Sequence, residues 1–162
     1  MIKKDLTLEI IGLGMILYSD FAVANIKEEE DYFSSNYETI EQVIPHIYKG
    51  DIVGFCTGTP GTFHIKFREG YPLEKFEFVT RLGIEVRDER IWIRDLYDLM
   101  EWTKECPKEQ CLEIENGFYH ITVCTNRPAS GILGDEQDMY IFLNPLKEMP
   151  RLKYKGVPMV CP

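Results

Sequence analysis

The chain has 162 residues, 44% apolar and 28% charged, an ordinary globular composition with room for one domain and a sizeable core. Asp and Glu outnumber Lys and Arg by 27 to 18, for a net charge of −9. That field disfavours direct binding to nucleic acid, which rests on Lys/Arg neutralisation of phosphates, and favours a basic protein partner.

In chain order, Leu6, Leu8 and Ile10 alternate with Thr7 and Glu9, so a first strand is expected over 4–11. Gly12 and Gly14 mark its turn, and 15–25 reads as a second strand. Lys3-Lys4, the apolar 10–17 and Ala22-Val23-Ala24 together have the layout of a signal peptide. Asp5, Glu9 and Asp20 interrupt it, and alternation suits a strand better. The apolar run is too short for a membrane span, which takes about 20 residues. An acidic run follows, Glu28, Glu29, Glu30 and Asp31, with Tyr32 and Phe33 behind it. Ser35 and Glu38 have capping-box spacing, and the helix they open presents Ile40, Val43 and Ile44 before stopping near Pro45.

From residue 51 the pattern is nearly all strand. Segments 51–57 and 62–68 flank Gly58-Thr59-Pro60-Gly61, a hairpin loop by composition. Phe76, Phe78, Leu82, Ile84 and Val86 share one parity, Glu77, Arg81, Glu85 and Arg87 the other. Asp88-Glu89 turns this run into 91–94, and Asp95 caps a short helix reaching Trp102. Over 110–126, Asn116-Gly117 lies between two alternating runs, as a type I′ hairpin requires. That hairpin would pair Leu112 with Ile121 and Cys111 with Thr122. Its core face would hold Leu112, Ile114, Tyr119, Ile121 and Val123. A loop over 127–137 and a strand over 138–143 follow. These elements predict an all-β fold, a mainly antiparallel β-sandwich over 1–143 with one or two short helices. Residues 144–162, with Pro145, Pro150, Pro158 and Pro162, form a basic tail packed on or extending from it.

The five cysteines (Cys56, Cys106, Cys111, Cys124, Cys161) are odd in number without a CxxC, and read as reduced thiols of a cytosolic protein. Disulfides in a secreted chain are the alternative. Cys111, His120 and Cys124 share the non-core face of the expected hairpin, which makes them the zinc candidates. Their diagonal spacing and the absence of a third ligand between the cysteines favour cysteines on a second, partly covered face. A Cys124/His64 dyad would need an electropositive setting that the net charge opposes. No phosphate-loop, serine-hydrolase or EF-hand spacing occurs, and no cofactor is implied.

Two stretches are binding candidates. Glu28, Glu29, Glu30, Asp31, Tyr32 and Phe33 join charge to aromatic surface, as a patch facing lysines and arginines does. The 127–138 loop mixes Arg127, Ile132 and Leu133 with Asp135, Glu136 and Asp138. Solvated surface charge is the alternative reading of both.

Tyr18-Ser19-Asp20-Phe21-Ala22-Val23, then Gly117-Phe118-Tyr119-His120-Ile121-Thr122-Val123-Cys124-Thr125, then Asp138-Met139-Tyr140-Ile141-Phe142 recur in an order that resembles the small β-sandwich proteins around competence protein J, the inhibitor of a DNA-entry nuclease. The likeness spans 6–143, breaks across 26–50, and brings no functional residues with it. It implies a bacterial intracellular protein that neutralises a nuclease or toxin by binding. The expected function is therefore a non-enzymatic, acidic, inhibitor-like binding module. The alternative is a small-ligand or carbohydrate-binding sandwich, or an enzyme built on one, with its site among the 127–138 loop and Trp92 or Trp102.

Overall fold

In the computed structural model, which describes residues 1–161, the opening alternation forms β1 (Lys3–Ile10), with Leu6, Leu8 and Ile10 buried and Thr7 and Glu9 exposed. The chain crosses at Gly12 into β2 (Gly14–Tyr18), which is buried throughout. The second strand is shorter than expected. The Asp88 carboxylate accepts hydrogen bonds from Ser19 Oγ (3.0 Å) and Phe21 N (2.8 Å), and the chain turns there into a 3-10 helix, Asp20–Val23.

Two helices follow where one was expected. Asp31 caps α1 (Tyr32–Asn36) by accepting from Ser34 N at 3.0 Å. The capping box lies four residues later than the expected Ser35/Glu38 pair, at Thr39 and Gln42, and opens α2 (Ile40–Lys49). Pro45 sits inside α2 rather than ending it. Its missing N–H falls on the exposed side of the helix, which runs on to Gly50 in the left-handed conformation (φ 73°).

The remaining elements are β3 (Val53–Cys56), β4 (Gly61–Glu69), β5 (Phe78–Val86), β6 (Arg90–Asp95), β7 (Cys111–Glu113), β8 (Gly117–Thr125) and β9 (Gln137–Leu146). Asp95 caps a 3-10 helix, Leu96–Met100, through Tyr97 N, as expected. The strands form a five-stranded sheet, β1-β4-β9-β8-β5, and a four-stranded sheet, β3-β2-β6-β7. Every pairing is antiparallel except β4 with β9. The result is the expected all-β, mainly antiparallel sandwich. Its core holds Ile121 and Val123 with no exposed surface, beside Leu17, Phe63, Leu82 and Ile93.

The 110–126 hairpin does not form. Cys111–Glu113 pairs with β6 in the four-stranded sheet, while β8 pairs with β5 and β9 in the other. A type I′ turn needs positive φ at both central residues, and Asn116 is not among the positive-φ residues. Its side chain instead accepts from Glu89 N at 2.7 Å, tying the two inter-sheet crossings together. The 58–61 turn likewise joins β3 to β4 across the sheets.

Strand order also explains an unexpected burial. β4 and β5 lie in one sheet with β9 and β8 between them, so their 70–77 connection passes over the outer face. Tyr71 packs 5.7 Å from the His120 ring, Phe76 5.5 Å from Tyr140, and Asn144 Nδ2 donates to Gly70 O. His120, Thr122 and Cys124 lie buried on that face, and His120 Nδ1 and Thr122 Oγ1 have no hydrogen-bond partner among the described residues.

The tail covers strand edges. Met149 and Pro150 occupy the space that Gly50 and Gly83 leave open. Tyr154 donates to the Arg81 carbonyl of β5 at 3.1 Å. Cys56 N donates to Pro158 O, and Val160 N to Cys56 O, along β3. Residue 162 lies outside the described residues.

Candidate binding surfaces

The acidic run is held against the outer side of the four-stranded sheet by its own backbone. Glu29 N donates to Trp102 O (2.7 Å), Trp102 N to Glu30 O (3.0 Å), and Lys104 N to the Glu28 carboxylate (2.6 Å). Glu30 Oε1 accepts from Lys27 N, and Asp31 caps α1, whose hydrogen bonds hold its carboxyl below the ordinary value. Glu28, Glu29 and Asp31 remain exposed, and none of the four carboxylates forms an ion pair among the described residues. The run therefore keeps its charge while its backbone is fixed.

Tyr32 and Phe33 turn inward rather than out beside the acids. Phe33 packs on the core. The Tyr32 hydroxyl lies 3.2 Å from His46 Nε2, and His46 Nδ1 lies 2.7 Å from Asp51 Oδ1. This Tyr–His–Asp chain has the look of an activated nucleophile. Burial first, then the Asp51 and Glu30 charges, push the tyrosine up from its ordinary value and keep its hydroxyl protonated at neutral pH. The chain ties α1, α2 and the entry to β3 together.

The 127–138 loop lies on the other sheet. Arg127 pairs with Glu77 at 3.0 Å, Glu136 with His64, and Asp138 with Lys66 at 3.7 Å. Asp135 is exposed and forms no ion pair among the described residues. Beside the loop, Phe76, Tyr140, Arg127, Glu136 and Asp138 border a depression of about 440 Å³. The two candidate stretches thus form separate patches on different layers.

The zinc set is dispersed. Cys111 lies in the four-stranded sheet, while His120 and Cys124 are four residues apart on β8. No group of three or more His, Cys, Asp or Glu side chains suited to a metal occurs among the described residues. All five cysteines are free, and burial pushes Cys106 and Cys124 up to about 11, away from a reactive thiolate. His64 on β4 is separated from Cys124 by β9, so that dyad does not form.

One site was missed from sequence, and a second was named only by its tryptophans. Asp88, Glu89, Glu113 and Glu115 converge around a shallow hollow of about 480 Å³ where the chain crosses between the sheets. Trp92 and Trp102 meet Tyr18 around a concavity of about 330 Å³ on the four-stranded sheet, so the tryptophans that the alternative reading grouped with the 127–138 loop line a separate site. Only strand order brings Tyr18 to Trp92 and the 88–89 turn to the 113–115 segment, so no local motif shows either grouping.

No helix among the described residues is long and apolar enough to cross a membrane. No family model matches the chain, and no curated protein matches it. Solved structures of similar fold include one described as crocagin biosynthetic gene J, at a TM-score of 0.57 and 12% identity, covering 88% of this chain and 96% of that one. Another is ComJ of Bacillus subtilis, described as an inhibitor of the DNA degrading activity of NucA, at a TM-score of 0.53 and 15% identity, covering 90% of this chain and 99% of that one. The chain therefore resembles ComJ, as its strand pattern implies, and at these identities the likeness is one of fold.

Proposed function

We propose that this protein is a non-enzymatic, inhibitor-like binding module of the bacterial cytoplasm that occupies a basic surface on a protein partner such as a nuclease. The observation that carries the reading is the fold it shares with ComJ over 90% of the chain, together with the net charge of −9. Glu28, Glu29, Glu30 and Asp31 are the proposed centre of the interface, since their backbone is fixed and their charge unpaired. Tyr32 and Phe33 back that surface from inside. Arg127, Asp135, Glu136 and Asp138 form a second, separate patch whose ion pairs must rearrange to meet a partner.

The test uses isosteres that remove charge and keep hydrogen bonds. Glu28→Gln and Glu30→Gln retain an acceptor for Lys104 N and Lys27 N, and Asp31→Asn retains an N-cap oxygen. Combined with Glu29→Gln, they leave the fold intact while neutralising the run. In affinity capture from native extract at low salt, the wild type should retain a basic protein that the quadruple variant loses. A partner held equally by both would contradict the assignment of this surface.

A further inference from the structure

The concavity beneath Tyr18, Trp92 and Trp102 carries features that the protein-binding role does not use. Both tryptophans of the chain line it. Trp102 is 1% exposed, and its indole N–H has no acceptor among the described residues. A buried donor without a partner costs the free energy of its lost hydrogen bond to water, so it marks a place where an acceptor fits.

The surrounding charges decide which acceptor. Asp20, the acid lining the concavity, is committed to Arg90 and to Trp92 Nε1 (2.7 Å). The hydrogen bonds from Arg90 and Trp92 outweigh the cost of its burial and hold it ionised below its usual value. Lys104 lines the mouth and its ammonium makes no ion pair or hydrogen bond among the described residues. A cationic ligand of the aromatic-cage type is disfavoured because the protein's own guanidiniums already sit over the rings. Arg90 is 5.2 Å from the Trp92 centroid, and Arg94 is 4.3 Å from that of Trp102. About 330 Å³ is near the lower end for ligand pockets and suits one ring with a short acidic arm.

We propose that this concavity binds a small aromatic carboxylate, with its ring against Tyr18 and Val23 and its carboxylate drawn to Lys104 and the Trp102 indole N–H. The N–H is closed to solvent at rest, so engagement moves the 102–104 segment slightly. That segment is the one hydrogen-bonded to Glu28, Glu29 and Glu30, which links the pocket mechanically to the acidic run. The inference stands independently of the partner, because it rests on the pocket alone.

The full chain is titrated with sodium phenylacetate, with neutral phenylacetamide and tetramethylammonium chloride as comparators. Tryptophan fluorescence reports on this site through both tryptophans. Trp92 also borders a basic depression beside Lys3, Lys4 and Lys108, so the Trp102 indole N–H resonance decides which of the two responds. Phenylacetate should give a saturable change and shift the Trp102 indole N–H resonance. Phenylacetamide should bind roughly tenfold more weakly for want of the charge-assisted contact, and tetramethylammonium not at all. Lys104→Ala should reduce the phenylacetate affinity by about the same factor. Ala24→Phe, an exposed position at the rim, should abolish the response without unfolding the chain. Overturning results are no saturable response to phenylacetate, equal affinity for acid and amide, a response that survives Ala24→Phe, or preferential binding of tetramethylammonium.

Discussion

Gly61 and Gly134 meet where the 127–138 loop crosses the start of β4. Gly134 has φ 84°, and a Cβ there would stand 2.3 Å from Pro60 O. Gly131, in the same loop, has φ 77° but open space around it. Gly134→Ala should therefore cost about 2 kcal/mol or more, from strain plus a backbone clash. Gly131→Ala should cost only the conformational strain, about 1 kcal/mol. Urea midpoints at unchanged slope would measure both, and equal losses would contradict the assigned contact. His120 offers a second test at this scale. Burial, aided by Arg81, lowers its proton affinity from the ordinary 6.5. The unfolded chain then binds that proton more readily, so stability is held above about pH 6.5 and falls as pH drops below it. Replacing His120 by Gln should flatten the stability loss between about pH 7 and 5. The same slope persisting in the variant would show that His120 is not its source. Residues with period two were legible from sequence at this scale, as Ile121 and Val123 show. The burial of His120 was not, because the strap that covers it follows from strand order.

Alternation fixes which side of a strand is apolar, and it is silent about the neighbour. In a sandwich, a strand pair can cross between sheets and still turn its oily faces inward. Hence β7 and β8, like β3 and β4, read as hairpins yet join opposite sheets. The helical region failed for a different reason, since Thr39 and Gln42 repeat the spacing of Ser35 and Glu38 four residues on, and it is the later pair that caps the helix. Thr39→Ala should cost about 1 kcal/mol, because Thr39 Oγ1 accepts from Gln42 N, while Ser35→Ala should be nearly silent. A thermal melt of each separates the two, and the reverse order would restore the earlier cap. The tail belongs to this scale as well. A chain ending at residue 156 loses the Pro158 and Val160 bonds to β3 and the burial of Val160, worth about 2 kcal/mol. It also uncovers a strand edge, so concentration-dependent association should appear in sedimentation. A truncated chain that stays monomeric and equally stable would argue that the tail merely rests on the sheet.

At the scale of the whole molecule, charge and shape point the same way. The sequence already carried the sign of the field and the layered fold shared with ComJ. It did not show that the acidic run and the 127–138 loop lie on different sheets, since that separation depends on long-range pairing. Nor did it show that Tyr32 and Phe33 serve the core, because a half-buried aromatic beside acids reads alike from either side. The most direct test is the association rate of the purified partner with this chain as salt is raised. Long-range steering by an unpaired acidic patch predicts a rate that falls steeply between about 0.01 M and 0.15 M ionic strength, with a shallower fall for the quadruple variant. A rate that stays level across that range, in wild type and variant alike, would contradict an acidic surface built to meet a basic one.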